Sequence, residues 1–196
     1  PKKDLFKKET INEDYVALTQ YPDYQKIPEY IDENTRNEFS LKNKLRFFRP
    51  YQLEALLAVQ KSVNNGNDRF LLEMATGTGK TLISSAIIKF FLRSSNVKRV
   101  LFLVDRLELE TQAQKEFVEV LKNDFSVSIW KENKSDWSKS EIVVSTVQSL
   151  LSQNKYKRLF DPTDFDLVIS DEAHRSLGGQ SRRVFEYFHN LFLQHF

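Results

Sequence analysis

The sequence predicts an α/β fold with a mostly parallel sheet covered by helices on both faces. Short apolar segments recur along the chain from residue 70 onward, and they are almost continuously apolar rather than alternating. Segments with helical spacing separate them. Strands that are buried on both faces of a parallel sheet have this character, because the helical crossovers cover each face.

The elements follow one another in a regular order. A helix is predicted to begin at Pro50, which suits a first helical turn, and to end near the turn residues 64–66. A strand over 70–74 and a helix over 82–88 come next. Later strands are predicted over 100–104, 127–130, 142–145 and 167–170, with helices over 107–122 and 146–151.

Residues 1–45 are polar, with prolines at 22 and 28, and show little periodicity. We therefore predict a lead-in segment of uncertain structure over 1–45 and one domain over 46–196. The chain begins at Pro1, its only methionine is Met74, and an apolar pattern runs to Phe196. These features lead us to expect a piece of a longer protein.

Composition limits the classes of function. With 196 residues, 40% of them hydrophobic and 29% charged, the chain can bury a core as an ordinary globular domain does. The absence of cysteine excludes disulfides and thiol catalysis within the sequence. No apolar run approaches the roughly 18 residues of a membrane helix, so we expect no membrane partner and a cytoplasmic location. The net charge of +2 permits a polyanionic partner without requiring one.

The stretch ATGTGKT, residues 75–81, lies between the first predicted strand and its helix. Gly77 and Gly79 would let the backbone fold around a phosphate chain and point its N–H groups inward. Lys80 would reach the β and γ phosphates, and the Thr81 hydroxyl would bind magnesium. Thr76 and Thr78 complete this phosphate-binding loop. The alternative is a glycine turn with no ligand.

An acidic pair, Asp171 and Glu172, follows the strand predicted over 167–170. Asp171 would hold magnesium, usually through water, and Glu172 would orient and deprotonate an attacking water. The predicted catalytic residues of a magnesium-nucleotide hydrolase are thus Lys80, Asp171 and Glu172. The alternative is a solvated acidic turn.

Three motifs in this order resemble the first RecA-like motor domain of superfamily 2 helicases and translocases: RPYQ at 49–52, the P-loop at 74–81, and DEAH at 171–174. The phrases LLEMATGTGKT, LFLVDRLELETQAQKEF and DEAHRSLGGQSRRVFEYF resemble most the restriction (R, motor) subunit of type I restriction-modification enzymes. The resemblance covers residues 46–188.

This resemblance implies roles for further residues. Gln52, with Arg49 nearby, matches the glutamine that reads the adenine edge, which implies ATP with Mg²⁺. His174 matches a position that couples the nucleotide site to later motifs. The residues that match contacts to a DNA backbone are Arg106, Gln112, Thr146 and Gln148. Arg106 and Gln112 could equally form a solvated helix start.

The implied activity is DNA-dependent ATP hydrolysis that moves duplex DNA. The implied partners are double-stranded DNA, a second RecA-like domain of the same parent chain that supplies an arginine, and methyltransferase and specificity subunits. The family also has a strand and a Ser/Thr-Ala-Thr motif after the acidic box, and we recognise neither in 188–196. We therefore expect a truncated first motor domain that is inactive alone.

Three alternatives stay open. A type III restriction subunit and a stand-alone repair helicase share the motor motifs. A P-loop switch or phosphotransferase would bind a nucleotide without any nucleic acid. The adjacent Asp171 and Glu172 favour hydrolysis, and Gln52 upstream of the loop favours a motor.

Overall fold

A six-stranded sheet runs through the computed structural model, which describes residues 11–15, 21, 23–75, 77–121, 124–129, 137–171, 181–188 and 191–195. The strands are β1 (Arg69–Leu72), β2 (Val100–Val104), β3 (Val127–Ile129), β4 (Ile142–Thr146), β5 (Leu167–Ser170) and β6 (Leu191–His195). Their spatial order is β1-β6-β5-β2-β4-β3, and each neighbouring pair is parallel.

The helices that the structure describes connect and cover these strands. They are α1 (Pro28–Ile31), α2 (Arg36–Lys42), α3 (Pro50–Asn64), α4 (Lys80–Arg93), α5 (Leu107–Leu121), α6 (Val147–Leu151), α7 (Lys155–Leu159) and α8 (Ser181–Tyr187). Short 3₁₀ turns occur at Tyr24–Lys26, Trp137–Lys139 and Ser152–Asn154.

Helices cover both faces of the sheet, as predicted. All five residues of β2 are buried. Val100, Phe102 and Val104 belong to one core cluster together with side chains from α3, α4 and α5. Leu101 and Leu103 belong to a second cluster with side chains from α6, α7 and α8. When both faces of a strand are buried, every large apolar side chain contributes about 1.5–3 kcal/mol of burial energy. This explains why the sequence of β2 is apolar throughout.

Each of the two core clusters contains edge-to-face aromatic pairs. On the first face, Phe117 of α5 meets Phe102 of β2 with ring centroids 4.7 Å apart. On the second, Phe160 and Phe165 meet at 5.2 Å. Such pairs add about 0.5–1.5 kcal/mol to the burial energy, so they help to fix how the helices sit on the sheet.

Most predicted elements lie close to the observed ones, but some of their ends differ; the helix predicted over 82–88, for example, is α4, Lys80–Arg93. The predicted strand over 70–74 ends at Leu72, before the loop. Thr146 is the last residue of β4 and caps α6, since its side chain accepts a hydrogen bond from the Ser149 amide at 3.1 Å. The predicted ends at Lys122 and Trp130 lie outside the described residues.

The strand that we did not recognise in 188–196 is present as β6. It lies between β1 and β5 and pairs with both. Our expectation that this strand was missing is wrong. A five-residue strand gives a weak pattern by itself, and its place depends on two strands that are distant in sequence.

Part of the predicted lead-in segment packs on the domain. Tyr15 is buried in the first core cluster. The Lys89 side chain of α4, only 1% exposed, donates a 2.9 Å hydrogen bond to the Tyr15 carbonyl and lies 5.0 Å from the centroid of its ring. Tyr24 is also buried and donates a 2.5 Å hydrogen bond to Asp14. The boundary at residue 46 stays a prediction.

Within the described ranges, no helix is both long and apolar enough to cross a membrane.

Candidate active site

A cavity of about 600 Å³ opens at the carboxyl edge of the sheet. The loop after β1 and the first residue after β5 both border it, because parallel strands bring their carboxyl ends to the same edge. Its volume lies within the usual range for small-ligand sites. Its lining consists of Arg46, Phe47, Arg49, Gln52, Gly77, Thr78, Gly79, Lys80, Thr81, Leu82, Gln112, Glu116 and Asp171.

Both glycines of the loop have left-handed backbone conformations. Gly77 and Gly79 have φ angles of 76° and 86°, in a region that residues with a side chain rarely adopt. The Thr78 hydroxyl donates a 2.6 Å hydrogen bond to the Ala75 carbonyl and closes the turn. Gly79 is the N-cap of the 14-residue helix α4, so the helix amides begin at the cavity. Thr76 lies outside the described residues.

Three of the predicted phosphate and metal groups border the same cavity. Lys80 and Thr81 are the first residues of α4, and both are half-buried. Asp171 follows β5, and its backbone amide donates a 2.9 Å hydrogen bond to the Leu103 carbonyl at the end of β2. Glu172 and His174 lie outside the described residues.

The donor set is suitable for magnesium held jointly with phosphate. Thr81 supplies a hydroxyl oxygen and Asp171 a carboxylate, and both are hard oxygen ligands. In the part of the chain that the structure describes, no three His, Cys, Asp or Glu side chains gather as a metal cluster. Magnesium usually takes one or two carboxylates and completes its shell with waters and substrate phosphates, so these two residues fit that ion.

Gln52 lies in the cavity wall and is bonded to the glycine loop. The side chain is 3% exposed. Its Nε2 donates a 2.8 Å hydrogen bond to the Thr78 carbonyl, and its Oε1 accepts one of 2.9 Å from the Arg49 amide. A primary amide has a second N–H and a second lone pair. Gln52 can therefore hold the loop and still offer one donor and one acceptor to a base.

Tyr51 makes a contact that the sequence reasoning missed. Its hydroxyl donates a 2.9 Å hydrogen bond to the same Thr78 carbonyl that Gln52 binds. The first turn of α3 therefore fixes the loop through two side chains. A tyrosine at a helix start gives no sequence signal of such a contact.

The structure separates the residues predicted to contact DNA. Gln112 lines the nucleotide-sized cavity. Arg106 and Gln148 are exposed and are not part of that lining, and Arg106 pairs with Asp105 at 3.6 Å. Thr146 is 1% exposed, with its hydroxyl occupied by Ser149. Their contacts with DNA stay predictions.

Glu116 is a further cavity residue, and no sequence motif indicates it. It lies one helical turn after Gln112 on α5, and the two side chains are joined by a 3.4 Å hydrogen bond from Nε2 to Oε1. The i, i+4 spacing from Gln112 places both on one helix face, but only the fold shows that this face borders the glycine loop.

Similarity to known proteins identifies the family of this chain. A family model described as "Type III restriction enzyme, res subunit" matches residues 46–196. The chain belongs to this family. It is a RecA-like helicase motor domain, as the motifs indicated.

Curated relatives of this chain include endonuclease subunits of type I restriction enzymes. The type I restriction enzyme EcoKI endonuclease subunit of Escherichia coli K12 is 38% identical over 133 residues, covering 65% of this chain and 11% of that protein. The EcoAI endonuclease subunit of Escherichia coli is 34% identical over 150 residues, 71% of this chain and 18% of that protein. The chain therefore spans less than a fifth of either relative.

The fold is similar to that of the SWI2/SNF2 ATPase core of Sulfolobus solfataricus, solved in complex with dsDNA. The TM-score is 0.63 at 16% identity, over 75% of this chain and 31% of that one. At this identity the likeness concerns the fold alone, and it agrees with the parallel sheet described above.

Proposed function

We propose that the chain binds ATP with Mg²⁺ and forms the first motor domain of a translocase that hydrolyses ATP to move duplex DNA, as in type I restriction R subunits. One observation carries the proposal. A single cavity joins a glycine loop at a helix N-terminus, Lys80, Thr81 and Asp171.

The phosphate chain would lie against the loop. Backbone amides from Gly77 to Lys80 and the start of α4 would bind the phosphate oxygens, since a helix N-terminus carries about half a positive charge. The Lys80 ammonium would contact the β and γ phosphates, and Thr81 and Asp171 would hold the magnesium. The ion, when bound, neutralises charge that develops on the phosphates.

The base would be recognised by the start of α3. Gln52 keeps one amide donor and one acceptor beyond its two bonds to the chain. Adenine presents N6 as a donor and N7 as an acceptor on one edge, which matches that pair. Arg49 lines the cavity beside it.

Hydrolysis would depend on Glu172 as the group that orients and deprotonates the attacking water. A second RecA-like domain of the parent chain would supply an arginine across the cleft, an addition worth about 10³–10⁵ in rate. The 196-residue chain alone should therefore bind ATP and show negligible DNA-stimulated turnover.

Duplex DNA would be bound through Arg106, Gln112, Thr146 and Gln148. Arg106 and Gln148 are exposed and suit direct contacts with phosphate oxygens. The buried Thr146 suits a positioning role at the start of α6. We place the parent protein in the cytoplasm, with methyltransferase and specificity subunits as partners.

The family match supports one second candidate. Its description names the res subunit of a type III restriction enzyme, which would use the same nucleotide site. The two candidates differ in the domains and subunits that accompany the motor, so the identity of the partner subunits in a purified complex distinguishes them.

The test of the nucleotide site is the variant Lys80→Ala, with Lys61→Ala on exposed α3 surface as its control. Losing a charge-assisted hydrogen bond worth about 1.5–3 kcal/mol should weaken Mg-ATP binding about 10- to 100-fold in calorimetric titration. Lys61→Ala should bind as the unaltered chain does. Equal affinity for all three proteins would refute the assignment of the phosphate site.

A further inference from the structure

The cavity has a second group of lining residues that do not belong to the glycine loop. They are Arg46 and Phe47, which precede α3, and Gln112 and Glu116 on α5. The two segments lie side by side at the cavity, where Lys44 and Arg46 are each 3.6 Å from a carboxylate oxygen of Glu119. The wall that they form is thus a feature of the fold.

Glu116 has the wrong charge for a phosphate contact. A carboxylate near a triphosphate is disfavoured by like-charge repulsion, more so in a half-buried position than in water. The cavity groups that suit an anion are instead the loop amides and the cationic side chains of Lys80, Arg46 and Arg49. The carboxylate is therefore suited to a neutral part of the nucleotide that carries hydrogen-bond donors.

Gln112 contacts this carboxylate. Its Nε2 donates the long, 3.4 Å hydrogen bond to Glu116 Oε1 across one helical turn. An ionised carboxylate can accept about four hydrogen bonds, so this one weak bond leaves most of its capacity for a ligand. Of the parts of ATP, the ribose offers two adjacent hydroxyl donors and no charge, and carboxylates that bind ribose hydroxyls occur in other nucleotide sites.

We propose that Glu116, which lies beside Gln112 in the cavity wall, accepts hydrogen bonds from the ribose hydroxyls and so makes the site selective for ribonucleotides. The inference rests on the proposed ATP site, because it identifies which part of that nucleotide the α5 wall recognises. Glu116 is then a specificity-determining residue of α5, a helix that the motif resemblance connects with DNA.

The test compares Mg-ATP with Mg-2′,3′-dideoxy-ATP, which lacks both hydroxyls, by calorimetric titration of the 196-residue chain. We expect ATP to bind about 10-fold more tightly, the size of one charge-assisted hydrogen bond. Glu116→Ala should lose this preference by weakening ATP and not the dideoxy nucleotide. Glu116→Gln, which keeps a neutral acceptor, should retain part of it.

Glu108→Gln is the matched control, an exposed glutamate of the same helix that is not in the cavity lining, and it should keep the full preference. Equal affinity of the unaltered chain for the two nucleotides would overturn the inference and leave the ATP site standing. An unchanged preference in Glu116→Ala would do the same. If neither nucleotide bound the unaltered chain, the proposed function itself would fail.

Discussion

The buried carboxylate of Glu110 is expected to contribute more to stability than any exposed acid of α5. Glu110 is 4% exposed, and its Oε1 accepts a 2.7 Å hydrogen bond from the backbone amide of Thr146, 36 residues later. Thr146 is itself only 1% exposed. The bond therefore joins α5 to the junction of β4 and α6 in a place that water does not reach.

Glu110→Ala would leave the Thr146 amide buried without this acceptor. An unsatisfied buried donor costs about 1–3 kcal/mol, and each lost buried methylene about 0.8 kcal/mol. Partial relaxation of the surrounding groups offsets part of the sum, so we expect a loss of about 2–3 kcal/mol. For a chain of this size that corresponds to about 4–12 °C in Tm. Glu110→Gln keeps an oxygen acceptor and should lose less.

Urea unfolding followed by circular dichroism measures the effect, provided that the dependence on urea is unchanged between variants. Glu108→Ala is the control, since Glu108 is exposed two residues earlier on the same helix. It should change the free energy of unfolding by no more than about 0.5 kcal/mol. If Glu110→Ala lowered the free energy of unfolding no more than Glu108→Ala does, the bond to Thr146 would not stabilise the fold and the reasoning would be refuted.

Two further predictions follow from single contacts. Gly79→Ala should weaken Mg-ATP binding more than Gly77→Ala in the same titration. Both positions have positive φ, but a Cβ at Gly79 would lie 2.6 Å from Gln52 Nε2, whereas a Cβ at Gly77 would meet open space. Equal effects of the two substitutions would contradict the importance of this close approach. Burial of Glu141 acts to raise its pKa, but hydrogen bonds from the Ser126 hydroxyl and amide outweigh it and lower the pKa below its ordinary value. Because the carboxyl pKa is lower in the folded state, Glu141 contributes its full stabilisation above the unfolded value of about 4.3. That contribution is lost as the pH falls from there through the lowered folded-state pKa. Ser126→Ala should thus reduce stability at pH 7 and flatten the decline between neutral and acidic pH in urea titrations, and a parallel decline in both proteins would show that Glu141 is not involved.

Local sequence determined most of the sheet and the position of the glycine loop. The strands β2 and β5 occupy the predicted residues, because β2 is a short, wholly apolar run, and β5 is an apolar run that ends at Ser170. The shared position of Lys80, Thr81 and Asp171 also followed from sequence. Once the strands are parallel, the residues after them meet at one edge.

Tertiary structure decided what depends on partners that are distant in the chain. The short strand β6 exists as a strand because β1 and β5 supply hydrogen bonds on either side of it. Glu116 borders the cavity because the packing of α5 places this helix face opposite the glycine loop across the same cavity, which the spacing to Gln112 alone does not reveal. Helical periodicity fixes which residues share a face, but the surface that this face meets is set by packing between segments far apart in sequence.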